Sequence, residues 1–489
     1  PEAAIENNDL AVAPAPVLML AKAPAAPTGA PTAPAEAKTV ATINGTGYKS
    51  FDEAVSNAKD GDIIEVIEDT ETTGIVLDNK KLTIQGVKKA TKTKDDGTDD
   101  GTVEETTVKP KLKFVAKEGQ PQIAGITLRG FNLTFQNMDV NMTGVSSTAD
   151  NDWNAICMSG EGNAALTLNN TKLLMDGEGL PAGKQAIYMA GRGRNELNVD
   201  DHSTLTIKNY PHNAITWNGV EDNNKNSTYF INITDGSTLT TDKNLNGIIG
   251  TINVTVDDST LNVTNNRGNG ANGSHYDIKN DSNVNFSGNG AHGLSAGTLE
   301  VTGGSTVTAN DNRYIGIAVG QTANITDSTV TADNNGWMGM RFSKASKFTD
   351  SNVTIKGTKG TSTFNSGIRL FKGNASLAVD GGTLTIEDNA VTGIFCDSGS
   401  QLTIEDTANV TITNNNAAQE NCTEKQELVK KGGGLVVCKN ASAMLGANTT
   451  INNNSADKAG ADIFIEPGGT LTFSVGNAGI GDILKDCGD

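Results

Sequence analysis

Val284, Val307, Val330 and Val353 recur at a constant interval of 23 residues, each opening a short strand-like run that follows a turn. An interval kept through successive runs fixes one structural unit stacked on itself, which identifies a solenoid. The runs share chemistry as well as spacing: SNVNFSGN, STVTANDN, STVTADNN and SNVTIKGT. Leu205, Leu239 and Leu261 upstream, and Leu384 and Val410 downstream, take the corresponding place at less even spacing, which implies loops of unequal length between coils. Within each run an apolar residue alternates with Thr or Asn, as in Leu205-Thr206-Ile207 and Val330-Thr331-Ala332. Period two is the signature of a strand with one buried face.

A second column pairs glycine with an apolar residue: Gly247-Ile248, Gly293-Leu294, Gly316-Ile317, Gly339-Met340, Gly367-Ile368, Gly393-Ile394 and Gly434-Leu435. Glycine tolerates positive φ and lets backbones approach closely, so the column marks one corner where successive coils bend. Further runs, among them Ile252 to Val256, Leu299 to Thr302 and Ala323 to Thr326, fall between the two columns. Three strands per coil describe a parallel β-helix. Asparagines cluster in the turns: Asn265 and Asn266, Asn289, Asn310 and Asn312, Asn334 and Asn335, Asn389, and Asn414 to Asn416. Stacked Asn amides can bond up and down a column, and Asn accepts left-handed turn conformations.

Residues 39 to 86 begin the solenoid. Ser50 followed by Glu53 has capping-box spacing, while Phe51, Ala54, Val55 and Ala58 make one apolar helical face, which predicts a short helix over the open end of the rod. An uncovered first coil would expose its apolar interior and an unpaired strand edge. This helix, the turn Asp60-Gly61-Asp62 and the runs Thr73 to Leu77 and Lys81 to Gly86 resemble the opening coils of pectate-lyase-like right-handed β-helix proteins, of the bacterial adhesin type. The resemblance covers residues 39 to 86 by motif and most of the remainder by style of repeat. It implies an all-β, right-handed parallel β-helix solenoid with a short N-terminal capping α-helix, and says little about activity.

Residues 1 to 38 are rich in Ala and Pro and read as an extended linker left after signal removal. One β-helix domain is expected from 39 to 486: the cap and first coils over 39–86, a charged insertion over 87–122 and the main solenoid over 123–486. A chain with 55 glycines, 4% aromatic residues and turns filled by Asn, Thr and Ser suits a secreted or cell-surface repeat protein. The apolar stretch Val17 to Ala21 falls far short of the roughly 20 residues that cross a bilayer, so no membrane insertion is expected. A net charge of −19 disfavours nucleic acid, where neutralisation of phosphates by Lys and Arg supplies most of the affinity. Outward Asp side chains could collect Ca²⁺, but no turn spells out a calcium loop, and no cofactor is expected. The five cysteines are too few and odd in number for a disulfide framework; Cys422 and Cys438 flank an insertion that they could close in an oxidising compartment.

Asp257-Asp258, His292-Gly293 and Arg369 with Lys372 occur in the order of the acidic pair, histidine and basic motif of polygalacturonase-type hydrolases, whose chemistry needs two carboxylates held close together. Aligned on the repeat, Asp257-Asp258-Ser259-Thr260 falls in the turn that Asp235-Gly236-Ser237-Thr238 and Gly303-Gly304-Ser305-Thr306 also occupy. His292 stands where Ile315 and Met338 follow, without an evident partner. A catalytic group should break the repeat rather than obey it. Arg192 and Arg194 could hold an anionic sugar or simply edge a solvated loop.

Display of a surface is the better reading. The residue after each apolar member of the glycine column should face outward, which gives Thr216, Ile249, Ser295, Ala318, Arg341, Arg369 and Phe395, cationic or aromatic on three consecutive coils. Tyr314 and Trp337 share another register on neighbouring coils and could form a platform, or pack a loop against the rod. Aromatic faces stack on sugar rings or apolar side chains, and Arg offers a forked donor to carboxylates and sulfates. The expected role is an extracellular cell-surface adhesin or spacer, not an enzyme, whose partner is a host or environmental glycan or protein. Its rival is a polysaccharide lyase or glycoside hydrolase acting on acidic polysaccharide.

Overall fold

Each run in the valine series is a strand, and the strands stack in parallel register from Leu205 through Leu239, Leu261, Val284, Val307, Val330, Val353 and Leu384 to Val410. The computed structural model describes residues 38–93, 103–116, 125–217, 227–360, 365–417, 430–474 and 479–485. The valine ladder forms a sheet of 15 strands. The glycine-bend strands and the middle strands form two more ladders, which merge into one sheet of 30 because Ala271–Lys279 and Leu294–Val301 run unbroken through both positions. Each coil therefore contributes three strand positions, and the chain is an all-β parallel β-helix.

Alternation fills the interior. Ile317, Val319, Ile325 and Val330 on one coil, and Met340, Phe342, Phe348 and Val353 on the next, point into a single continuous core and are essentially closed to solvent. Burial of such apolar surface, about 25 cal/mol per Å², is what drives one coil to stack on another.

Two polar columns tie the coils together. Asn244, Asn266, Asn289, Asn312 and Asn335 are buried at the same corner, and each of the first four passes its side-chain Nδ2 to the Oδ1 of the next at 3.1–3.2 Å. Each Oδ1 also accepts the backbone N–H of the preceding Asn, so one amide satisfies groups on two coils. The column resumes with Asn389, Asn415 and Asn454, whose Nδ2 bonds Asp462. At the turn before the valine ladder, the hydroxyls of Ser237, Ser259, Ser282 and Ser305 each accept the backbone N–H of the serine one coil earlier.

The structure selects one of the two reasons offered for the glycine column. Gly247, Gly293, Gly316, Gly339, Gly367, Gly393 and Gly434 all lie outside the left-handed region, so positive φ does not require them. Close approach does. A Cβ on Gly316 would lie 2.8 Å from the carbonyl oxygen of Gly339 and 2.6 Å from Nδ2 of Asn335. The glycines make room for the asparagine ladder and the next coil's backbone. Left-handed φ falls instead to turn residues such as Asp235, Asp258, Asp281 and Asp327.

At the N-terminal end, Phe51–Asn57 is a helix whose first turn is capped by Ser50, the hydroxyl accepting from the Glu53 N–H at 3.1 Å. Phe51, Ala54 and Val55 are buried against the first coil. The Asp52 carboxylate fastens the helix by accepting from the hydroxyls of Thr72 and Thr73, and the Lys80 ammonium bonds the carbonyls of Val55 and Ala58 at the helix C-terminus. Ala41–Ile43 pairs antiparallel with Ile63–Val66 and so covers the strand edge that the first coil would expose. Within the charged segment 87–122, Lys88–Thr93 and Val103–Val108 form an antiparallel hairpin, and Lys111–Phe114 is already a rung of the valine ladder. The segment 1–37 lies outside the described residues.

Candidate functional site

Because the strands of the glycine-bend ladder alternate inward and outward, one outer column runs in register through Thr216, Ile249, Asn272, Ser295, Ala318, Arg341, Arg369, Phe395, Val436 and Phe464. Alongside it, at the turn that leads into each strand, Tyr314 and Trp337 stack with ring centroids 4.0 Å apart and planes 25° from parallel. Both rings are half-buried and rest on an apolar cluster of Ile315, Ala318 and Met338 that is separate from the main core. His292, from the preceding coil, meets both edge to face, at 5.6 Å from Tyr314 and 6.2 Å from Trp337. No partner for His292 is evident along the chain because it belongs to the register one residue later; an imidazole at that place reaches sideways to its neighbours' rings. Burial, helped by the charge of Arg341, holds the His292 imidazole below its ordinary pKa of 6.5.

Trp337 has one face on Tyr314. The next coil carries Gly360 at the corresponding place, so that register supplies no side chain to cover the second face. One residue earlier in each coil, Arg313, Gly336 and Lys359 follow one another, each donating its backbone N–H to the ladder asparagine carbonyl of the coil before. Trp337, Gly336, Arg313, Lys359 and Asp311 line an open depression of about 610 Å³. The Arg313 guanidinium lies 5.5 Å from the Tyr314 ring.

The other expected binding residues sit differently. Arg341 is half-buried on Met338–Phe342, with its guanidinium 5.4 Å from the Phe371 ring; burial and the neighbouring Arg369 pull it below the usual arginine range. Arg369 and Phe395 do lie on the outward column, yet they are only 6% and 3% exposed. Arg369 grips Asp397 through both arms of its fork, at 2.7 and 3.1 Å, and lies over Phe395 and Phe371. Phe395 packs with Val436, Cys438 and Phe464 in a second satellite cluster. Alternation tells which side of a strand a residue occupies, but not what neighbouring coils lay over it.

The residues that suggested hydrolysis are engaged elsewhere. Asp258 adopts a left-handed turn conformation, and Asp257 accepts from Asn280 at 2.6 Å. Arg192 pairs with Glu161; Arg194 pairs with Glu196 and stacks on Phe230 at 3.9 Å. Among the described residues, no group of three or more His, Cys, Asp or Glu is arranged to hold a metal. Cys157 and Cys396 are buried thiols pushed up to about 12. Cys438 is also a buried free thiol, while Cys422 and Cys487 lie outside the described residues. No protein-family model matches the chain, and no curated protein matches it.

Proposed function

We propose that this chain is an extracellular, cell-surface binding or spacer module of the pectate-lyase-like bacterial adhesin type, which offers a preformed surface to a host or environmental glycan. The observation that carries the reading is the Tyr314–Trp337 stack at the rim of the Arg313–Lys359 depression. An open, half-buried aromatic face beside polar groups matches the apolar face and hydroxyl edge of a sugar ring, and a volume of several hundred Å³ is of ligand size. Stacked coils fix these side chains before the ligand arrives, so little ordering entropy opposes binding. No chemistry is required of the site, and no cofactor enters the proposal.

Screening the full chain and its Trp337→Ala variant on one array of glycans and host-surface proteins tests this reading. Binding to a glycan that the variant loses supports it. Glycan binding that survives Trp337→Ala unchanged, or binding confined to proteins, removes it. Release of shortened oligosaccharides during the assay would instead restore the enzymatic alternative.

A further inference from the structure

Several cations on the coils beside this depression are answered by a carboxylate: Lys347 by Asp380, Lys356 by Glu387 and Asp388, Arg369 by Asp397. Arg313 and Lys359 are set apart by standing together at one depression. Both are exposed, and among the described residues neither forms an ion pair, in a chain whose net charge is −19. They stand at the same turn position on coils separated by a single coil, and that intervening coil carries Gly336. At a coil spacing of about 4.8 Å, the two positions are about 10 Å apart, and the register position between them is glycine. The wall of the gap is Trp337, the residue after Gly336.

We infer that this gap seats the anionic group of an acidic glycan, a carboxylate or sulfate, while the sugar ring that bears it stacks on Trp337. Arg313 supplies a planar fork and Lys359 a mobile point charge, a pairing that accepts either anion. Asp311 lines the same depression and is the acceptor for ring hydroxyls; two cations to one carboxylate leave the depression locally positive. Arg341, on the strand Met338–Phe342 that Trp337 leads into, also lacks a carboxylate partner among the described residues and adds a positive charge nearby. On a strongly acidic protein such a patch focuses anions where the general field would repel them.

The inference rests on the sugar-binding reading above, and the two can fail separately. The full chain is titrated by calorimetry with three matched oligosaccharide sets: uronates, their carboxyl-reduced neutral counterparts, and sulfated neutral sugars. Uronates or sulfated sugars should bind at least about tenfold more tightly than the neutral set, and Arg313→Gln with Lys359→Gln should remove that advantage, so that acidic and neutral sets bind the variant alike. Raised salt should weaken the acidic set alone. Which acidic set binds identifies the anion. Equal affinity for acidic and neutral sugars, both lost in Trp337→Ala, overturns the inference but keeps the stacking platform. Acidic binding that ignores Trp337→Ala overturns the platform. No binding tighter than about 1 mM by any set overturns the inference.

Discussion

The outer face of the valine ladder and the outer face of the glycine-bend ladder ride on the same coils and differ in what they conserve from coil to coil. On the first, Thr206, Thr240, Asn262, Asn285, Thr308, Thr331, Thr354, Thr385 and Thr411 occupy one register with hardly a change of chemistry. On the second, the matching column passes through Ser295, Ala318, Arg341, Arg369 and Phe395, a different kind of side chain at nearly every step. The backbone demands the same of both, so stacking alone accounts for the monotonous face. The varied face, with Tyr314, Trp337 and His292 beside it, carries side chains that stacking does not ask for, and a function is most economically placed there.

The comparison breaks first if the columns credited with holding coils together are dispensable. Asn312→Leu strips the Asn289 backbone N–H of its acceptor and leaves the Asn335 Oδ1 with only the backbone N–H of residue 312, in a buried corner. The expected cost is about 3 kcal/mol, read as a lower urea midpoint, with faster amide exchange concentrated in the flanking coils because a solenoid loses stability locally. Gly316→Ala is next: its Cβ must displace the Asn335 amide and the Gly339 carbonyl, for about 2 kcal/mol by the same measurement.

The varied face should respond in binding more than in stability. Trp337→Ala is expected to weaken the best glycan by at least about tenfold while the urea midpoint moves little. Acidification sharpens the point. The His292 pKa is lower in the folded protein than in the unfolded chain, so its contribution is fully present above pH 6.5 and is lost as pH falls from there toward the folded value. Trp337 fluorescence should therefore titrate below pH 6.5, and His292→Gln should abolish that step. Smallest of all, Thr331→Val on the monotonous face should change stability by less than about 0.5 kcal/mol and leave glycan binding untouched.

The valine interval, the glycine corner and the helix cap were legible because each is a period or a spacing that geometry imposes on every coil. The reason for the glycines was less so: sequence offers both positive φ and close approach, and only the neighbouring Asn335 amide and Gly339 carbonyl decide between them. Tyr314 with Trp337 was visible as one register. The cations beside them share a register too, since Arg313, Gly336 and Lys359 repeat at 23 residues, but a register interrupted by glycine carries no apolar or aromatic period to mark it. Arg369 and Phe395 could not be placed from alternation, because their cover comes from Asp397, Phe371 and a cluster assembled across several coils.

Footprinting of the complex with the tightest glycan tests most directly that the varied face is the working one. Hydroxyl-radical labelling of the full chain should show protection at Tyr314, Trp337, Arg313 and Lys359, with Thr308 and Thr331 labelled as in the free protein. Protection along the threonine column with the aromatic pair unchanged would contradict the account.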